Sequence, residues 1–362
     1  MVATKTTIWL CPGQGAQKVG MAKDLAERFP AARQALEAID GKLGFALSHL
    51  MFDGPENELT ETQNAQPAIL AHSAAVFAAL GSAIDAALGG GVPLSRIMFE
   101  GPEEELTATQ NAQPAILAHS AAVFAVIRDK VDGVVTAVGH SLGEYSAYVT
   151  ANALSSPQAA KLVRRRGELM QKAGEERPGT MAAVIGLPTN EVEAACEEAS
   201  QQASVAVAAN INAPDQTVIS GDPDAVRRAG EGCKKRGAKR VIPLKVSGAF
   251  HSPLMGPAKN HLQLALERAE FRDPAFPVVA NATAEAVKDA VRARRLLADQ
   301  LTAAVRWVEC MQHAARMGGA DARFVEIGPG SVLAGLLKRI VPEANVVSLG
   351  TVDEVTRFME AA

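Results

Sequence analysis

The chain has 362 residues, enough for one large domain or two ordinary ones, and 48% of them are hydrophobic, so it can bury a substantial core. Its net charge of −4 gives no sign of nucleic-acid binding, and its apolar runs are far shorter than the roughly 20 residues of a membrane span. Four scattered cysteines without a CxxC pair predict reduced thiols in a cytoplasmic protein and no metal site.

Apolar β-type runs alternate with helical patterns along the chain. The predicted strands are TTIWL (6–10), VVTAV (134–138), MAAVIGL (181–187), VAVAANI (205–211), TVIS (217–220), RVIPLKV (240–246), PVVA (277–280) and RFVEI (323–327). The predicted helices lie near 20–29, from about 142, near 189–200, near 223–236 and from about 331. This alternation indicates βαβ units and an α/β fold with a largely parallel sheet.

A polar, turn-rich break at 174–179 divides this pattern. The residues after it, to about Val246, follow a β-α-β-β-α-β order that is typical of a ferredoxin-like unit. We therefore expect a small ferredoxin-like subdomain at 174–246, inserted into a large domain formed by 1–173 and 247–362.

The chain also contains a tandem duplication, because 51–80 and 98–127 are nearly identical. Two copies are too few for a solenoid. Each copy predicts a helix that is apolar on nearly every side and therefore needs burial. Only one copy can lie beside the strand that ends at Gly139, and we expect the second, because it leads directly into that strand. The sequence leaves open where the first copy packs.

The segment GHSLG, at 139–143, has the GxSxG spacing of a nucleophile elbow. A predicted strand precedes it and a helical pattern follows, as the elbow requires. The helix N-terminus behind Ser141 would direct backbone N–H groups toward an oxyanion. The alternative is an ordinary Gly-Ser turn in a βα loop.

A serine nucleophile needs a base, and His251 is the favoured one of seven histidines. It follows a β run and precedes a turn broken by proline, at a strand end where open α/β sheets place their sites. His140 adjoins the serine, but its side chain is expected to leave the strand end in another direction. His72 and His119, in the duplicated segment, are expected at the surface or in the core.

Eight motifs in order resemble the malonyl-CoA:acyl carrier protein transacylase family, which includes the acyltransferase domains of polyketide synthases. The motifs are GQGAQ (13–17), NAQPAIL (111–117), GHSLGEYSA (139–147), RRRGELM (164–170), NINAPDQTVISG (210–221), GAFHSPLM (248–255), QLTAAVRW (300–307) and EIGPGSVLAGLLKR (326–339). The resemblance spans almost the whole chain. It implies an α/β-hydrolase-like large domain with a ferredoxin-like small one.

The resemblance also implies catalytic roles. Ser141 would be acylated, and His251 would take its proton and later return it to the leaving thiol. Gln300 matches the position whose amide or backbone carbonyl orients the histidine. The backbone N–H groups of Leu142 and Gln14 would form the oxyanion hole.

Substrate recognition follows from the same resemblance. Arg166 matches a buried arginine that holds the free carboxylate of malonate, whereas Arg164 and Arg165 are expected at the surface. Phe250 matches the malonyl-type pattern of the family. A phenyl ring at this position would crowd the α-methyl branch of methylmalonate.

Three further positions match the pocket of the family. They are Met170, Asn212 and His140. An ordinary core methionine and an Asx-turn are the alternatives for the first two.

The substrates implied are malonyl-CoA and the phosphopantetheine thiol of acyl carrier protein, with no bound cofactor or metal. Basic clusters at 234–236, 239–240 and 292–295 could steer an acidic carrier protein or could be solvated helix faces. We expect a monomer without nucleic-acid or membrane partners. The sequence does not distinguish fatty-acid from polyketide supply.

Two other functions stay open at this point. The first is a serine esterase or thioesterase on the same scaffold, in which water takes the acyl group. The second is a non-enzymatic binding protein whose fold is compromised by the duplication.

Overall fold

A computed structural model of the chain describes residues 6–11, 84–89 and 92–361. The predicted helix near 20–29, the first copy of the duplication and Gln14 lie outside these residues.

Strands are numbered in chain order, and the larger sheet of the described residues has six of them. They are β1 (Thr7–Cys11), β2 (Val134–Gly139), β7 (Val278–Val279), β8 (Ala286–Val287), β9 (Arg323–Ile327) and β10 (Asn345–Leu349). Their spatial order is β10-β9-β1-β2-β7-β8, and all neighbours are parallel except β7 and β8. The largely parallel sheet predicted from the sequence is therefore present.

Besides a helical stretch at 84–88 and two short 3-10 helices, twelve α-helices of the described residues complete the framework. They are α1 (Leu94–Glu100), α2 (Glu103–Thr107), α3 (Thr109–Ile127), α4 (Gly143–Thr150), α5 (Ser156–Glu176), α6 (Thr189–Ala199), α7 (Pro223–Lys235), α8 (Gly256–Arg268), α9 (Ala290–Asp299), α10 (Trp307–Gly318), α11 (Val332–Ile340) and α12 (Val352–Ala361).

The central strand β1 is buried on both faces, as expected for a parallel sheet covered by helices. Trp9 and Cys11 face one hydrophobic cluster, whereas Ile8 and Leu10 face the other. This alternation follows from the period of two along a strand. It explains why IWLC (8–11) is a continuous apolar run rather than an alternating one.

The second sheet has four antiparallel strands, β3 (Thr180–Ile185), β4 (Ala206–Ala213), β5 (Gln216–Gly221) and β6 (Arg240–Pro243). Their order is β4-β5-β3-β6, and α6 and α7 pack on one face. The β-α-β-β-α-β rhythm read from the sequence therefore forms a ferredoxin-like unit.

The boundaries of this subdomain, 174–246, remain our proposal. The helix α5 ends at Glu176, so the break begins slightly later than the sequence suggested. Gly174 lies against Ser247, and a Cβ at 174 would be 1.9 Å from the carbonyl oxygen of Ser247. The segments in which the chain enters and leaves the small subdomain therefore run side by side.

The second copy of the duplication forms α3, which is buried over most of its length. It packs mainly against α5 and α4 and shares a hydrophobic cluster with β1 and β2. Phe124 makes an edge-to-face contact with Trp9, with ring centroids 5.7 Å apart. None of the helices within the described ranges is long and apolar enough to cross a bilayer.

Candidate active site

The GxSxG segment forms a tight corner between β2 and α4. Ser141 occupies the left-handed region with φ of +53°, which is unusual for a residue with a side chain. A Cβ at Gly139 would lie 1.9 Å from the carbonyl oxygen of Gly143, so the corner closes only with glycine at 139. The strained turn presents the serine hydroxyl at the carboxyl end of the sheet.

The hydroxyl of Ser141 is paired with the imidazole predicted from the sequence. Ser141 Oγ lies 2.8 Å from His251 Nε2, and His251 Nδ1 lies 2.8 Å from the backbone carbonyl oxygen of Gln300. Because a carbonyl only accepts, Nδ1 carries the hydrogen and Nε2 is free to accept the serine proton. The geometry is that of a serine nucleophile with its general base.

The partner that orients His251 is therefore the backbone of Gln300, one of the two alternatives left open by the sequence. Burial, followed by the charge of Arg166, lowers the pKa of His251 to about 3. The imidazole is consequently neutral near pH 7, which is the form that accepts a proton.

Arg166 is 1% exposed and directs its guanidinium at the nucleophile. Its Nη2 donates to Ser141 Oγ at 3.1 Å and to the side-chain oxygen of Gln300 at 3.0 Å. Its Nη1 donates to Gln113 Oε1 at 2.6 Å. Every one of these acceptors is neutral, so a ligand carboxylate would be the natural partner of the cation.

The close approach of α3 and α5 brings Gln113 to Arg166. A Cβ at Gly167 would lie 2.6 Å from the Cα of Gln110, so the glycine after the arginines allows the two helices to touch. Gln113 and Arg166 lie in two of the motifs, NAQPAIL and RRRGELM, but no role for Gln113 was predicted from the sequence.

The prediction that Arg164 lies at the surface is wrong. Arg164 is half-buried and donates to the side-chain oxygen of Asn111. Three successive arginines point in directions about 100° apart on a helix, so they cannot share one environment. Arg165 is exposed, as expected, and pairs with Glu168.

Asn281, which follows β7, was missed by the sequence analysis and holds the elbow in place. Its Oδ1 accepts from the Ser141 backbone N–H at 2.8 Å, and its Nδ2 donates to the Gly139 carbonyl at 2.8 Å. The signal was a polar side chain directly after the predicted strand PVVA, at the same sheet edge as the serine.

Glu144, in the first turn of α4, was also missed. It is fully buried, and its Oε2 accepts from the Asn281 backbone N–H at 2.9 Å and from Gln300 Nε2 at 2.8 Å. Burial raises the pKa of this carboxyl to about 7. The sequence carries no signal for this role, because an acidic residue in the first turn of a helix is common at exposed helix ends.

A cavity of about 1090 Å³ opens in front of Ser141 and His251, between the two sheets. Phe250 and Met170 form part of its wall, as the sequence analysis expected of pocket residues. So does Asn212, whose Oδ1 lies 2.8 Å from His140 Nε2.

His140 points away from the serine, as expected. Its ring packs against the indole of Trp307 with centroids 5.1 Å apart, and burial lowers its pKa. It lines the cavity without reaching Ser141 as a base.

Leu142 is the N-cap residue of α4 and directly follows Ser141. Among the described residues, no acceptor pairs with its backbone N–H, which leaves this donor for an oxyanion. Gln14, the second expected donor, lies outside the described residues. The described residues contain no cluster of three potential metal ligands.

The comparisons agree with this geometry. An acyl transferase domain model matches residues 8–87 and 72–357. A malonyl CoA-acyl carrier protein transacylase from Staphylococcus aureus (strain MRSA252) is 36% identical over 357 residues, covering 99% of each chain.

Solved structures give the same result. An acyl carrier protein S-malonyltransferase from Vibrio cholerae has a TM-score of 0.78 at 35% identity, covering 98% of this chain and 99% of the other. A malonyl-transacylase in complex with its type II PKS acyl-carrier protein has a TM-score of 0.79 at 35% identity, covering 99% of this chain and 100% of the other. With its serine elbow, its histidine and its buried arginine, the chain belongs to the malonyl-CoA:acyl carrier protein transacylase family of acyltransferases.

Proposed function

We propose that this chain transfers the malonyl group of malonyl-CoA to the phosphopantetheine thiol of acyl carrier protein, through a malonyl ester on Ser141. The observation that supports this most strongly is the 3.1 Å distance between Arg166 Nη2 and Ser141 Oγ. In malonate a single methylene separates the reacting carbonyl from the free carboxylate. A cation this close to the nucleophile suits that short spacing.

The first half-reaction begins when the thioester carbonyl reaches Ser141. His251 Nε2 takes the hydroxyl proton as Oγ attacks the carbonyl carbon. Negative charge develops on the carbonyl oxygen, toward the Leu142 N–H. When the carbon–sulfur bond breaks, His251 returns the proton to the sulfur, and coenzyme A leaves as a thiol.

The second half-reaction runs the same steps with a different thiol. The thiol of acyl carrier protein gives its proton to His251 Nε2, and its sulfur attacks the ester carbon of malonyl-Ser141. The carbon–oxygen bond then breaks, and the proton returns to Oγ. His251 can act as the base in both half-reactions because the hydrogen bond from its Nδ1 to the Gln300 carbonyl leaves Nε2 as the atom that accepts and returns the proton.

Arg166 selects the acyl group in both halves. A malonyl carboxylate would form charge-assisted hydrogen bonds with the guanidinium, whereas an acetyl group would leave it with neutral partners only. Phe250 lines the same cavity and is 6% exposed, so a branched α-carbon would meet its ring.

The test is intact-protein mass analysis after incubation with malonyl-CoA, acetyl-CoA and methylmalonyl-CoA in parallel. We expect a malonyl adduct on wild type, little adduct from the other two donors, and none on Ser141→Ala. A serine esterase would instead release free malonate rapidly without carrier protein.

The carrier protein is expected to approach over the small subdomain. Lys245 is exposed on the cavity wall, and Lys239 and Arg240 are exposed nearby in the chain. Glu103 and Glu104 line the cavity from α2, so the large-domain rim is acidic there and less suited to an acidic partner. Lys245→Glu should raise the KM for carrier protein.

Several finer expectations remain predictions from the sequence. They are the monomeric state, the cytoplasmic location, the lack of a bound cofactor and the absence of nucleic-acid or membrane partners. The choice between fatty-acid and polyketide supply depends on which carrier protein the cell provides.

A further inference from the structure

The side-chain amide of Gln300 connects Glu144 to Arg166. Gln300 Oε1 accepts from Arg166 Nη2 at 3.0 Å, on the side of the amide that faces the cation. Gln300 Nε2 faces three acceptors: Glu144 Oε2 at 2.8 Å, the Ser141 carbonyl at 2.9 Å and Asn281 Oδ1 at 3.1 Å.

These neighbours fix which way the amide points. The reversed amide would set its NH₂ against the guanidinium N–H groups and its oxygen against three other oxygens. Glu144 Oε2 is the closest of the three acceptors, and its carboxyl group is fully buried. Asn281 Oδ1 is already engaged by the Ser141 N–H.

We propose that Glu144 is a positioning residue for Arg166: through the Gln300 amide it holds the guanidinium toward Ser141 and so contributes to the choice of a carboxylated acyl group. This inference rests on the proposed function. Glu144 touches neither substrate nor the reacting atoms, so its effect reaches the reaction through Gln300 and Arg166.

The alternative is that Glu144 merely stabilises the elbow, since it also accepts from the Asn281 N–H. A structural role would lower loading of every acyl donor equally. A positioning role lowers the loading of malonyl-CoA relative to acetyl-CoA, because acetyl has no carboxylate for Arg166 to meet.

The experiment compares Glu144→Met, which removes the acceptor, with Glu144→Gln, whose side-chain oxygen can still accept from Gln300 Nε2. The readout is the ratio of kcat/KM for malonyl-CoA to that for acetyl-CoA. We expect Glu144→Met to lower this ratio about tenfold, mainly through KM for malonyl-CoA, and Glu144→Gln to restore most of it.

Glu326→Gln is the matched control. Glu326 is also fully buried and accepts from the Leu333 and Ala334 N–H groups and the Ser348 hydroxyl, away from the nucleophile. It should leave the ratio unchanged.

If Glu144→Met does not fold, Gln300→Met tests the same link, because it removes the amide and keeps the backbone carbonyl that faces His251. We expect it to lower the ratio by a similar factor. If Glu144→Met folds, an unchanged ratio in that variant would overturn the inference. If Glu144→Met does not fold, an unchanged ratio in Gln300→Met would overturn it. Failure of wild type to form any malonyl-enzyme would instead overturn the proposed function itself.

Discussion

Arg166 and Ser141 are hydrogen-bonded to each other, with the guanidinium Nη2 3.1 Å from the hydroxyl oxygen. The same oxygen lies 2.8 Å from His251 Nε2. The hydroxyl oxygen therefore lies between the imidazole that we propose as its base and the cation that we propose recognises the substrate carboxylate. We therefore expect recognition of the acyl group and the attack of Ser141 Oγ on its carbonyl carbon to take place within one hydrogen-bond length of each other.

Replacing Arg166 with alanine should remove the preference for malonyl-CoA. Losing a charge-assisted hydrogen bond in a buried site typically costs enough to lower kcat/KM for malonyl-CoA roughly 10- to 100-fold. Loading of acetyl-CoA should change far less, because acetyl has no carboxylate. Steady-state kinetics with both donors measures the ratio.

The matched control for this prediction is Arg165→Ala on the same helix. Arg165 is exposed and pairs only with Glu168 among the described residues, so its loss should change neither rate. A malonyl-to-acetyl ratio that survives Arg166→Ala would remove this arginine from the recognition site.

His251 should matter more than the side chain of Gln300. His251→Ala removes the general base and is expected to slow acylation by roughly 100- to 10,000-fold. Gln300→Ala keeps the backbone carbonyl that accepts from Nδ1 and should slow it about tenfold or less. Rapid-quench measurement of malonyl-enzyme formation compares the two, and an equal or larger loss in Gln300→Ala would contradict the assignment.

Stability should fall as pH is lowered from about 6.5 to about 4.5. Burial lowers the pKa of His251 to about 3 and that of His119 to about 4, so the unfolded chain binds protons in this window that the folded chain does not. Their contribution is present above the ordinary histidine pKa of 6.5 and is lost as pH falls.

Glu144 has the opposite effect on the pH dependence of stability. Its pKa is raised from the ordinary 4.5 to about 7, so between these two pH values the folded chain binds a proton that the unfolded chain does not. Its contribution is lost as pH rises through that window, and the two histidines outweigh it.

His119→Gln should flatten the dependence of unfolding free energy on pH by about 1.4 kcal/mol per pH unit near pH 5 to 6. Urea unfolding at several pH values measures this slope, and an unchanged slope would mean that His119 is not buried in its neutral form.

Deleting residues 51–97 should preserve folding and malonyl transfer. The deletion joins Leu50 to Met98, so that LSHL (47–50) replaces LSRI (94–97) ahead of the second copy. Of the three buried apolar positions of α1, Leu94 and Ile97 are thereby replaced by leucines and Met98 is kept. Thermal melts and acylation assays should match the full chain within a few degrees and a few-fold, whereas loss of folding would show that the first copy is required.

Much of the fold could be predicted from periodicity, because strands and helices here have distinct apolar patterns. The ferredoxin-like unit was predicted from the rhythm of its elements alone. The antiparallel β8 was missed, since two residues carry no periodic signal. So was β10, which follows a proline-containing turn.

The candidate site was partly predictable for a related reason. Ser141 and His251 lie in turns with recognisable glycine and proline chemistry. Asn281, Glu144 and Gln113 act through side chains from three distant segments, and their convergence depends on tertiary packing that no local pattern encodes. Glu144 in particular resembles an ordinary N-terminal helix charge until its burial is seen.

We propose above all that Ser141 carries a malonyl group that the carrier thiol removes much faster than water does. The most direct measurement is mass analysis of the enzyme after brief exposure to malonyl-CoA, with and without subsequent addition of phosphopantetheinylated acyl carrier protein. We expect one malonyl adduct, located on the peptide containing Ser141, that persists in buffer and disappears when carrier protein is added. An adduct at another residue, or one that water removes as fast as the carrier protein does, would contradict it.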